Sequence, residues 1–186
     1  MNLKHSTRHL IVAAMCLALC LVLPFLTGGI PEIGRMLLPM HLGVFLCAYI
    51  ADHKWAAAVG FIAPLMRSFL FGTPILYPTA IAMAFELATY GFVAGFLNSK
   101  LKPSLLNIYI SLLSAMILGR IVSGLVNLVL YGIKGNSYTW SAFIGASVLN
   151  AIPGIILQIV VIPLLIIALR KAKLIDKPHH HDGIEK

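Results

Sequence analysis

Long apolar runs, each broken by glycine, proline or charge, constrain this chain more than any other feature. They lie near residues 9–26, 36–51, 55–71, 78–98, 104–131 and 140–170. Most are long enough to match the roughly 20 residues that carry a helix across a bilayer. Lipid offers no hydrogen bonds, so a spanning segment must satisfy its backbone internally, as a helix does. The expected fold is all-α, an integral membrane bundle of six transmembrane helices. It fills residues 1–175, with a polar, flexible cytoplasmic tail over 176–186. The fifth and sixth runs exceed a minimal span and should tilt, bend or protrude, and Pro153 and Pro163 suggest kinks in the sixth.

Composition agrees. The chain is 60% hydrophobic and only 11% charged, with a mean hydropathy of +0.94. A soluble domain carries about 25% charged residues, so this surface faces lipid. Lys4 and Arg8 before the first run resemble the start of a signal peptide. Pro24 and Phe25, however, stand where cleavage needs small residues, so the run reads as a retained helix. Cys16, Cys20 and Cys47 lie in apolar runs without metal spacing and read as small core residues.

Six spans put both termini on one side. Ten of the 14 basic residues fall there: Lys4, Arg8, Lys54, Lys100, Lys102, Arg170, Lys171, Lys173, Lys177 and Lys186. Arg35 and Lys134 lie opposite, and Arg67 and Arg120 fall within or at the edge of helices. The positive-inside rule makes the terminal side cytoplasmic in a multi-pass protein of a cell membrane, prokaryotic by expectation. The net charge of +8 then reflects topology and needs no nucleic acid.

Against this background Glu86, inside "AIAMAFELATYG", stands out. A charged side chain at the centre of a spanning helix costs about 2.5–3.5 kcal/mol on insertion scales. His41, Arg67, Arg120, Asn127 and Asn150 share its half of the bilayer, the outer one. Tyr90 and Thr89 share its helix face by spacing, as do Ser123, Asn127 and Tyr131 with Arg120. Two readings stand. One is a stabilising network with Glu86 paired to Arg67 or Arg120. The other is a binding site loaded from outside, which explains the gathering on one side. Polar groups beside apolar walls suit a small flat heterocycle. The loop "TGGIPEIGR", 27–35, is a plain connection or a lid.

The chain has no phosphate loop, no HExxH pattern and no visible nucleophile–base pair, so it reads as neither an ATPase nor an enzyme. No cofactor is expected, and "HHHD" at 179–182 is not read as a metal site. The inner half lacks the polar path of a channel. In "AAMCLAL", Ala14 and Ala18 are four apart, a spacing that lets another helix approach closely.

Size, span number, the Ala14–Ala18 stripe, the outer polar cluster and the missing ATPase together resemble the substrate-binding (S) subunit of an energy-coupling factor (ECF) vitamin transporter. "LLPMHLGVFLCAYI" at 37–50, "GFIAPLMRSFLFGTP" at 60–74 and "YPTAIAMAFELATYGFVAG" at 77–95 are similar to stretches of such subunits. Asp52 stands where a Gly-rich turn is expected after "AYIA". The resemblance implies that the Ala14–Ala18 stripe faces a transmembrane coupling (T) protein joined to two cytoplasmic ATPases. It implies a subunit of an ABC-type importer that binds a vitamin outside and topples to deliver it inward. A hydroxymethylpyrimidine or pyridoxine-like ring would use Glu86 and amides, whereas pantothenate would recruit Arg67 or Arg120. A stand-alone solute carrier or membrane scaffold is the alternative of another class.

Overall fold

The computed structural model describes residues 3–27, 38–133 and 152–172. Among these, six α-helices and no strands occur: α1 (Leu3–Val22), α2 (Pro39–Ile50), α3 (His53–Phe71), α4 (Ile81–Lys100), α5 (Leu105–Ile133) and α6 (Ile152–Lys171). Five are long and apolar enough to cross a membrane, and α2 is a shorter apolar helix of 12 residues. At about 1.5 Å per residue α2 covers about 18 Å, well short of a bilayer core of about 30 Å. The second expected span therefore has a shorter helical part than its apolar run. The chain enters it through Leu38, in the left-handed region at φ 51°, with Pro39 at the first helical position.

Local chemistry sets the other boundaries. Asp52 opens α3, its carboxylate accepting from the His53 N–H at 2.8 Å. The residue that departs from the expected glycine turn thus serves as a helix start. Gly72 closes α3 at φ 69°, a conformation that favours glycine, and its N–H bonds the Ser68 carbonyl. A distorted turn at Leu76–Ala80 precedes α4, and Tyr77 there donates its hydroxyl to the Leu130 carbonyl of α5. Pro163 lies inside α6, which continues past it as one helix to Lys171.

Small residues decide how the helices meet. A Cβ on Gly60 of α3 would lie 2.3 Å from the Leu87 carbonyl oxygen, and one on Gly91 of α4 would lie 2.4 Å from that of Ala56. Reciprocal backbone contact of this kind needs glycine on both helices. A Cβ on Gly43 of α2 would strike Cys20 of α1 at 2.5 Å. The Cys20 thiol donates to the Met40 carbonyl at 3.3 Å. The core comprises the inner faces of these helices, with Phe45, Leu87, Tyr90, Leu112, Ile162 and Ile166 fully buried.

α1 has two unlike faces. Ala13, Cys16 and Cys20 are buried, whereas Ala14 and Ala18 are exposed with Ile11, Met15 and Leu19. The small-residue stripe points away from the bundle.

Candidate functional site

Helices alternate in direction, so the starts of α2 and α4 and the ends of α1, α3 and α5 lie at one end of the bundle. Glu86 sits five residues into α4, about 7.5 Å along its axis. It is 4% exposed. Its Oε1 accepts from Arg120 Nη1 of α5 at 2.9 Å and from the Tyr90 hydroxyl one turn on at 2.8 Å. His41 Nε2 of α2 lies 3.9 Å from the same oxygen, too far for a hydrogen bond.

The Tyr90 ring is locked. It stacks on Phe45 at 5.3 Å with planes 15° apart, and it touches His41 at 5.3 Å and 54°. A Cβ at Gly119 would lie 2.0 Å from the ring. Gly119 therefore makes room for Tyr90, and Tyr90 in turn fixes one bond of the Glu86 carboxylate. Three helices converge on one carboxylate oxygen.

Hydrogen bonding here is incomplete. His41 is 2% exposed, and neither ring nitrogen has a partner among the described residues. Arg120 Nε is also buried and unpartnered. Buried polar atoms are rarely left so, and these have hydrogen-bonding capacity that a ligand's polar edge could meet. The charge, by contrast, is balanced, since the Arg120 guanidinium compensates the carboxylate directly. The unmet groups offer hydrogen bonds with no net charge.

Arg67, the other candidate partner of Glu86, does not join it. Its Nη1 donates to the Leu21 carbonyl of α1 at 2.8 Å, and its guanidinium lies 5.0 and 5.4 Å from the Phe25 and Phe71 ring centres. Local sequence favours this bond to the Leu21 carbonyl. α1 passes into a 3-10 turn at Leu23–Thr27 that contains Pro24, which brings no N–H. Aromatic faces add cation–π contact to that hydrogen bond.

Among the remaining sequence candidates, Asn127 is half-buried and spends its amide on the Ser123 carbonyl of its own helix, 2.9 Å away. The Thr89 hydroxyl bonds back to Phe85, leaving Tyr90 as the residue of that face that meets Glu86. Asn150, residues 28–35 of the expected lid, and the histidines at 179–181 lie outside the described residues. Sequence reasoning missed Gln158 of α6, which is 1% exposed and reaches the Leu38 carbonyl at 3.5 Å. A lone amide within an otherwise apolar run was the available signal. It also missed a second junction near the other end. The hydroxyls of Tyr49 and Ser111 lie 2.7 Å apart there, joining α2 to α5.

No curated protein and no solved structure matches the chain. The family model described as "ECF transporter, substrate-specific component" matches residues 8–166. Subunits of that family associate with a T component and ATPases, and they are transporter subunits and not enzymes. The match runs from α1 into α6 and includes all of α2 to α5, so it takes in the whole Glu86 cluster. On that breadth, this multi-pass membrane chain belongs to the ECF transporter substrate-specific components.

Proposed function

We propose that this chain captures a small, uncharged heteroaromatic vitamin or precursor, of the hydroxymethylpyrimidine or pyridoxine kind, between α2, α4 and α5. The observation that carries this reading is His41, buried beside a charge-balanced Glu86–Arg120 pair with neither ring nitrogen hydrogen-bonded among the described residues. An imidazole offers one donor and one acceptor when neutral. A flat ring with polar edges answers it and brings no charge that the pair would have to balance. In this reading Glu86 orients Arg120, and His41 with Arg120 Nε meets the ligand.

The chain crosses the membrane six times with both termini in the cytoplasm, as the basic residues favour. The exposed Ala14 and Ala18 form the seat of the T protein, since small side chains permit close helix approach. The T protein and two ATPases then drive inward delivery. A second reading, pantothenate, is favoured by Arg67, which has no carboxylate partner among the described residues.

Titration calorimetry on the purified subunit with pyridoxine, hydroxymethylpyrimidine and pantothenate tests the assignment. A neutral ring should bind, and His41→Ala should weaken it by about 1.5 kcal/mol, roughly tenfold. Binding of pantothenate alone, abolished in Arg67→Met and unaffected in His41→Ala, would establish the second reading instead.

A further inference from the structure

We propose that Gln158 of α6 is a specificity-determining residue of this site, reading a ring edge that sets a hydrogen-bond donor beside an acceptor. The inference rests on the Glu86 cluster being the substrate site, and it adds a fourth helix to it.

The buried face of α6 consists of Gly154, Gln158, Ile162, Pro163 and Ile166. Gln158 is its one polar side chain. A primary amide has two donor hydrogens and an acceptor oxygen with two lone pairs. Among the described residues Gln158 makes a single hydrogen bond, from Nε2 to the Leu38 carbonyl at 3.5 Å. That is the long limit of such a bond. The same carbonyl already accepts the His41 backbone N–H at 3.0 Å. A tie so long, to an oxygen already served, gives little reason to keep an amide in a helix that is otherwise almost wholly apolar.

Position supplies the reason. The shared carbonyl places the Gln158 amide at the first turn of α2, the turn from which His41 reaches toward Glu86. His41 itself is buried, and neither ring nitrogen is hydrogen-bonded among the described residues. Two neutral donor–acceptor side chains, from α2 and α6, are therefore tied to the same first turn of α2. An amide pairs in plane with an edge that presents a donor next to an acceptor, which is how asparagine and glutamine read adenine. A ring nitrogen beside an amino group has that edge, and so does a ring hydroxyl beside a hydroxymethyl group on a pyridine.

The test compares ligands within each protein, so a change in stability does not decide it. Titrate the purified subunit with hydroxymethylpyrimidine and with the analogue whose amino group is replaced by hydrogen, then with pyridoxine and its 4-deoxy analogue. Wild type should prefer one complete ligand over its analogue by about tenfold, since a site built to bond a polar group rejects a ligand lacking it. Gln158→Leu should lose that preference, weakening about tenfold toward the complete ligand while holding the analogue as wild type does. Gln158→Met serves if the leucine variant does not fold. Preference retained in the Gln158 variant while His41→Ala loses affinity would overturn the inference and leave the site standing. Wild-type protein that binds none of the four, or His41→Ala with unchanged affinity, would overturn the site itself and Gln158 with it.

Discussion

Arg120 and Arg67 both lie in apolar helices, and they are held by opposite means. Arg120 meets a carboxylate at 2.9 Å, and beside it a histidine and its own Nε find no hydrogen bond among the described residues. Arg67 meets no carboxylate among the described residues. A backbone carbonyl and two phenyl rings from the ends of α1 and α3 surround it. The first arrangement balances charge and leaves hydrogen-bonding capacity over. The second uses capacity and, among the described residues, leaves charge over. For a site that takes an uncharged ring the first is the suitable one, and Arg67 reads as a fastener between α1 and α3.

The sharpest way to break this contrast is Arg120→Met. It strands a buried carboxylate, and the loss should be about 3–5 kcal/mol. Glu86→Gln placed in the same chain should recover much of it, because no unpaired charge then remains. Thermal melts of the single and double variants in detergent decide this. If the double variant is as unstable as the single, the pair is not what holds α4 to α5.

Arg67→Met should do less, about 1–2 kcal/mol, because no carboxylate among the described residues is stranded when the cation leaves. Affinity for a neutral ring should stay within twofold of wild type. A collapse of binding with intact stability would move Arg67 from fastener to ligand contact and undo the comparison.

The smallest effect on the isolated subunit belongs to the outward face of α1. Ala14→Leu and Ala18→Leu should shift stability by no more than about 0.5 kcal/mol, as exposed substitutions do. Ligand affinity should hold as well. Uptake by cells, and recovery of the T protein and ATPases on copurification, should fall sharply. Equal loss of ligand binding would mean that the stripe packs internally, against its exposure here.

Helix type, the membrane setting and the oddness of Glu86 were legible from residues alone. An apolar run of about 20 residues has one good backbone solution in lipid, and a carboxylate within it must be compensated. The compensating partner was not legible. Arg67 and Arg120 both carry the required charge toward the same end of the bundle, and sequence spacing does not relate residues on different helices. Gln158 was passed over for the same reason: one amide in an apolar run gives no sign of what it faces.

The sequence by itself determined that the chain is helical, that it belongs in a membrane, and that its polar residues cluster toward one end. Its family resemblance was also legible there. Tertiary structure decided that Glu86 takes Arg120, that Arg67 turns to Leu21, that the helical part of α2 is short, and that Ala14 and Ala18 face outward. The physical reason is that helix rotation is set by contact. Gly43 against Cys20, Gly60 against Leu87, Gly91 against Ala56 and Gly119 against Tyr90 each admit a neighbour where any larger residue would collide. Those close approaches fix how each helix is turned, and the turn of each helix fixes which polar side chains meet.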